Sequence, residues 1–282
     1  MDHRFAWILL GCLSWATLCS GTTPEATVGR DQTSNRSPAE GGIYSRRLEE
    51  RAGLRIALRI EQPGSVLQDP KVSAYVNRVA QRILARSNSD QQVKVKVLMY
   101  PAFNAFSIPG GRTYLTVGLL QRLASEDEMA AVLAHEIAHA TAHDWANQRT
   151  QLILLRARQR TAWRGIRSGG LAGVGRERAN ARVLAAWRRR AEEDADVRGL
   201  DYLYRAGYDP SALVSLLKKA SAIEEQSPQW PHVNALNYRE TAVRLARVEH
   251  RVSSLPARKT HHWKRSKKFV AMQRHLAVIM KR

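Results

Sequence analysis

The chain has little sulfur and little negative charge. Its two cysteines, Cys12 and Cys19, both fall within the first 21 of 282 residues. If that segment is removed, no cysteine remains, and a disulfide-stapled scaffold is excluded. Asp and Glu number 25 against 45 Lys and Arg, a formal charge of +20. Such an imbalance excludes no fold, but it invites a partner with an acidic surface, such as nucleic acid or anionic lipid. Internal repeats are also missing. The apolar run from Phe5 to Leu18 is too short for a comfortable membrane span. What remains is ordinary: 44% hydrophobic and 25% charged residues, in a chain long enough for one large domain or two small ones.

The first 21 residues, "MDHRFAWILLGCLSWATLCSG", place Arg4 ahead of that apolar run and Ser20 and Gly21 after it, the layout of an export signal. Leu9-Leu10-Gly11-Cys12 also resembles a bacterial lipoprotein box, so lipidation stands beside plain cleavage. Residues 22–42 are polar, rich in Ser, Thr, Pro and Gly, and read as a flexible linker. A folded domain is expected over 43–252, followed by a basic tail over 253–282.

Within the domain, Asp69-Pro70 caps a helix whose apolar face carries Val72, Tyr75, Val76, Val79 and Ile83. "QVKVKVLMY" (92–100) alternates valines and Met99 with Lys94 and Lys96, a strand with one wet face. Two β-prone runs around Pro109-Gly110-Gly111 predict a hairpin. Ser125 and Glu128 form a capping box for a helix reaching His143. A basic segment then runs to Arg190. A second strong helix is expected from about Ala191 to Ala206, and two more from Ser211 to Glu225 and from Arg239 to Val252.

The first of these chemistry-bearing helices contains His135-Glu136-Ile137-Ala138-His139. Positions four apart on a helix point the same way, so His135 and His139 can ligate one zinc ion while Glu136 reaches a water beside it. An amphipathic helix with two satisfied histidines would carry the same five letters. A catalytic zinc needs a third protein ligand and an open position. "EEDAD" on the next strong helix supplies a candidate: Glu192 and Asp196 are again four apart. Glu192 can be the third ligand, and Asp196 can accept a hydrogen bond from the ring N–H of a ligating histidine. A solvated acidic turn is the alternative for those letters.

The stretches "DPKVSAYVNRVAQRI", "NAFSIPGGRTYLTVGLL", "EDEMAAVLAHEIAHATAHD" and "EEDADVRGLDYLYRAGYDP" together resemble the HtpX/BepA-like zinc metallopeptidases, the family that includes CAAX prenyl proteases and Oma-type mitochondrial proteases. The resemblance covers about residues 45–250. It implies an α+β, mainly helical zincin-type domain with a small mixed sheet whose edge strand borders the zinc cleft, and "GGRTYLT" is expected to hold that edge. It also implies one Zn2+ per chain on His135, His139 and Glu192, with Glu136 as general base. Where the family carries a His-Pro ahead of an Arg, this chain reads "WPHVNALNYRETAVRLARVEH". Arg244 takes the place of the Arg, Tyr238 stands six residues before it, and His232 is out of register. Tyr238 or His232 could donate to an oxyanion, or Tyr238 could simply pack. His143 is expected to be structural.

Two basic stretches depart from the family. Residues 151–190 carry eleven arginines and one acid, and 251–282 carry ten Lys or Arg and no acid. A solvated surface is the plain reading. Contact with an anionic membrane surface or with acidic glycans of the envelope is the sharper one, and Trp163, Trp187 and Trp263 suit an interfacial role. Nucleic acid is disfavoured by the export signal and the lack of a known binding module. The resulting expectation is an exported zinc endopeptidase of the bacterial periplasm, acting on polypeptides in envelope quality control. The rival is an envelope chaperone or adaptor that keeps the zinc fold with little proteolysis.

Overall fold

Asp69 and Pro70 start a helix whose apolar face enters the main core. In the computed structural model, which describes residues 45–163, 171–226, 238–256 and 266–281, two helices come first: α1 (Arg46–Ile60) and α2 (Pro70–Leu84). The Asp69 carboxylate accepts from the Val72 amide at 2.9 Å, satisfying one of the amides a helix start leaves unpaired. Val72, Tyr75, Val76, Val79 and Ile83 are buried, as their spacing predicts.

Three strands follow, β1 (Lys94–Leu98), β2 (Ala105–Ile108) and β3 (Arg112–Thr116), in the order β1-β3-β2. The β2–β3 hairpin is antiparallel, with Phe106 opposite Tyr114, while β1 runs parallel to β3, with Val95 opposite Thr113. The turn needs glycine: φ is +69° at Gly111, and a Cβ there would stand 1.8 Å from the Gln92 carbonyl oxygen. One expectation is corrected. "RTYLT" is the central strand, and the edges are β1 and β2. Thr113, Tyr114, Leu115 and Thr116 are all buried, the near-continuous burial of a strand covered on both faces.

The wet face expected for β1 is covered only in part: Lys94 is exposed and Lys96 half-buried. Val93, Val95 and Val97 enter the main core, but Leu98 joins a second apolar cluster with Ala57, Ile60, Phe106, Ile108 and Tyr114 beneath α1. Lys96 pairs there with Glu61 at 2.5 Å, and Met99, expected inside, is 37% exposed just past the strand end.

The remaining elements are α3 (Val117–Arg122), α4 (Glu126–Thr141), α5 (Asp144–Trp163), α6 (Leu171–Arg205), α7 (Ser211–Gln226), α8 (Tyr238–Ser253) and α9 (Lys267–Ile279). Ser125 caps α4 by accepting from the Glu128 amide at 3.1 Å, and the Glu128 carboxylate returns to the Ala124 amide at 2.6 Å, one residue earlier than a capping box would have it. The three acids of that first turn are buried and all bonded. Glu126 accepts from Tyr75, Tyr208 and Ser266, Asp127 from the Asp209 amide, and Glu128 from Ser215 and Lys219. The start of α4 therefore ties α2, α7 and the approach to α9 together.

Two more expectations change. The basic stretch 151–190 lies largely in α5 and α6, and α6 begins twenty residues before the expected Ala191. Its Ala, Leu and Arg content is strongly helix-forming, which the two scattered glycines at 173 and 175 do not overcome. No described helix is long and apolar enough to cross a membrane. The stretch 253–282 is not merely a basic tail. Its α9 buries Phe269, Met272 and Leu276 in the main core, an i, i+3, i+7 stripe masked by the surrounding charge. Gln273 donates to the Leu120 and Leu123 carbonyls, and His275 meets Asp69 at 2.8 Å.

Leu276→Ala should therefore destabilise the protein by about 2–5 kcal/mol, whereas the exposed Lys268→Ala should stay within about 0.5 kcal/mol. Urea unfolding of both variants checks this; equal midpoints would mean that α9 adds nothing to the folded domain.

Candidate metal centre

Helix α4 carries small residues where α6 crosses it. Ala131, Ala134 and Ala138 are buried, and on α6 Gly199 faces them. A Cβ on Gly199 would stand 3.1 Å from both the Cα and the amide nitrogen of His135, so glycine is what permits the approach. Glu192, Asp196, Gly199 and Leu203 share one face of α6 at spacings of four, three and four. The same register turns Asp194 to solvent and sends Glu193 to an ion pair with Arg247 on α8.

The approach brings His135, His139 and Glu192 together. Their nitrogen and oxygen atoms lie within 4.8 Å of one another. The two Nε2 atoms are 3.1 Å apart, and Glu192 oxygens stand 3.4 Å from His135 Nε2 and 3.5 Å from His139 Nε2. Ligand atoms at about 2.0–2.1 Å in a tetrahedral zinc shell stand about 3.3 Å apart. Two imidazoles and one carboxylate at these separations fit a zinc ion with a position left over.

Each imidazole is backed on its other nitrogen. His135 Nδ1 faces Asp196 Oδ1 at 3.1 Å, and His139 Nδ1 meets Asp144 Oδ2 at 2.7 Å. A carboxylate on Nδ1 fixes the tautomer that leaves Nε2 available to a metal. Asp196, singled out by its spacing, stands within ion-pair range of His135 Nδ1. Asp144 was missed, although it stands five residues beyond His139, because α4 ends between them. Ala142 caps the helix, and His143 adopts φ +53°, a left-handed turn that starts α5 and returns Asp144 toward His139. His143 itself pairs with Glu49 of α1 at 2.6 Å and stands outside the cluster.

Arg244, on α8, is 5% exposed. Its Nε and one terminal nitrogen each donate to Asp196 at 2.7 Å, and the other terminal nitrogen lies 2.9 Å from Glu192. It was expected near an oxyanion. Here its guanidinium is engaged with the two acids, which makes it first their anchor. Burial alone would push the Glu192 carboxyl upward, but Arg244 and the two imidazoles overcome it and hold the group well below the usual carboxylate range. Asp196 is lowered in the same way, against its burial, by Arg244 and His135. Burial likewise opposes charge on His135, yet Asp196 and Glu192 raise it to about 10. His139 is raised, against burial, by Glu192 and Asp144. Both shifts run toward the protonated ring.

The cluster opens into a cleft of about 210 Å³, walled by β2 on one side and by Leu213, Leu216 and Leu217 of α7 on the other. Glu136 lines it beside His135, and its carbonyl accepts from Ser107 of β2 at 3.1 Å. His232 lies outside the described residues. So does the side chain of Tyr238, the first residue of α8.

The profile of peptidase family M48 matches residues 67–264. The chain is 35% identical over 154 residues to the mitochondrial metalloendopeptidase OMA1 of Schizosaccharomyces pombe, covering 54% of this chain and 45% of that protein. It is 30% identical over 217 residues to the beta-barrel assembly-enhancing protease of Yersinia pestis, covering 71% and 40%. To the protein of the same name from Escherichia coli K12 it is 24% identical over 265 residues, covering 88% and 52%. The chain thus spans about half the length of these curated relatives. The family resemblance read from the motifs is borne out.

If Asp144 and Asp196 orient the imidazoles, Asp144→Ala and Asp196→Ala should each weaken zinc binding by about ten- to a hundredfold, and the exposed Asp194→Ala should leave it unchanged. Competition with a chromophoric chelator measures this. A loss at Asp194 matching that at Asp144 would contradict the arrangement.

Proposed function

The chain belongs to peptidase family M48, and from that membership we propose that it is a zinc-dependent endopeptidase hydrolysing peptide bonds in polypeptides of the bacterial envelope. The observation carrying this reading is the convergence of His135, His139 and Glu192 at the floor of an open cleft, with Glu136 beside them. When bound, zinc supplies a Lewis acid that polarises the scissile carbonyl and lowers the pKa of a water. Glu136 takes the proton from the attacking water and returns it to the departing amine. Asp196 and Asp144 keep the two imidazoles oriented, and Arg244 keeps Glu192 and Asp196 ionised and in place.

The substrate is an extended polypeptide. β2 is an edge strand and lines the cleft, so a segment of substrate can pair with its backbone as an added strand. The apolar α7 wall opposite receives side chains. Main-chain pairing is indifferent to sequence, which suits a protease acting on unfolded or unassembled proteins. The envelope assignment rests on the export signal in residues 1–21 and on the beta-barrel assembly-enhancing proteases among the relatives.

Purified, zinc-loaded protein should cleave casein, and Glu136→Gln should bind zinc with unchanged affinity while losing at least about a hundredfold in rate. Undiminished cleavage by Glu136→Gln would refute the role of Glu136. A zinc-loaded wild type that suppresses client aggregation without cutting would establish the adaptor in place of the protease.

A further inference from the structure

Helix α1 presses Ala52, Gly53, Ala57 and Ile60 against the domain, yet it also carries three leucines on its outer side. Leu48, Leu54 and Leu58 are 44%, 54% and 69% exposed. At 100° per residue they share an arc of about 140° with Arg47, Arg51, Arg55 and Arg59, all four of them exposed. None of these arginines is in an ion pair with any described residue. Glu50 is the one exposed acid of α1 and stands at the margin of the arc; Glu49 is buried on the opposite side against His143.

We propose that this face of α1 docks on an anionic phospholipid bilayer. Isolated exposed leucines are common and need no explanation. Three in one stripe, interleaved with four guanidinium groups that form no ion pair among the described residues, make a surface whose complement must offer anions and apolar matter together. A nucleic acid offers the phosphates but no apolar phase for the leucines. A bilayer interface offers both, with phosphate at the depth of the guanidinium groups and acyl chain just beneath. Arginine stems suit that boundary, since they can lie along apolar surface while the charged ends stay wet.

The inner side of α1 fixes what docking would present to the membrane. Gly53 sits so close to the β2–β3 turn that a Cβ would stand 1.9 Å from the Pro109 carbonyl oxygen, and Glu49 lines the cleft. Docking would hold the cleft rim within about one helix diameter, 10–12 Å, of the headgroups. Resting on the peptidase reading above, the substrates reached first would be polypeptides lying on or emerging from the bilayer surface.

The test is co-sedimentation of the full chain with vesicles of phosphatidylcholine alone and with added phosphatidylglycerol, across a salt series. Wild type should bind the anionic vesicles only, and binding should fall steeply as salt shortens the Debye length from about 8 Å toward 3 Å. Arg51→Gln with Arg55→Gln should weaken binding about fivefold for each arginine replaced. Leu54→Gln with Leu58→Gln should weaken it at every salt concentration. Lys267→Gln with Lys268→Gln, the same charge change on α9, should shift it by no more than about twofold. Casein cleavage without vesicles and the melting temperature are read in parallel. They should be unchanged in the α1 variants, and they report on the peptidase reading and on folding separately from docking. Equal binding by the α1 and α9 variants would overturn the proposal. So would binding to neutral vesicles, or a wild-type dimer that Leu54→Gln dissociates, since the face would then belong to a second copy.

Discussion

The structure turns on the contact between α4 and α6 at Gly199. There, two helices approach closely enough to set a pair of largely buried carboxylates against a pair of largely buried imidazoles. Ionised groups removed from water are costly unless paired, and much of the surrounding fold supplies the pairing. Three carboxylates, Glu192, Asp196 and Asp144, face the rings of His135 and His139, and the guanidinium of Arg244 neutralises one of them. Two further positive charges are needed. In the metal-free protein the carboxylates raise the affinity of both rings for a proton, which answers part of that need. One divalent cation would supply the same two, with the rings neutral.

The outer layers then act as supports. The acids that start α4 are buried and bonded to α2, α7 and the residue before α9, so the helix carrying both histidines is anchored at the end away from the metal. Its other end is set by the left-handed turn at His143, which Glu49 of α1 holds from outside. α1 covers the second face of the sheet, closes the rim of the cleft and presents a cationic, leucine-bearing face to the exterior. The cleft and the outward face belong to the same rigid corner of the molecule, which links where the protein would sit to what it would reach.

Much of this was legible in the sequence wherever one short period governed a segment. The apolar face of α2, the hairpin at Pro109-Gly110-Gly111 and the four-residue spacings of His135 with His139 and Glu192 with Asp196 are local patterns, and local geometry alone turns each into structure. The misses have a common cause. Asp144 acts through a left-handed residue that non-glycine side chains rarely adopt, so no helical spacing points to it. α9 hid its apolar stripe among lysines and arginines. α1 buries mostly small residues with Ile60 and leaves Leu48, Leu54 and Leu58 exposed, so apolar spacing alone does not mark its inner face. The position of β2 at the edge depends on the parallel pairing of β3 with β1, a long-range choice that hairpin signals do not specify. Arg244 was found by resemblance, but its engagement with two acids on another helix could be seen only in three dimensions.

The central claim is a metal held by two imidazoles and one carboxylate with a position left open. Zinc K-edge absorption on the zinc-loaded protein addresses it directly. The account predicts four-coordinate zinc with two imidazole nitrogens at about 2.0–2.1 Å and oxygen ligands at about 2.0–2.2 Å, one of them exchangeable. A third imidazole in the shell, or a six-coordinate ion without imidazole scattering, would contradict it.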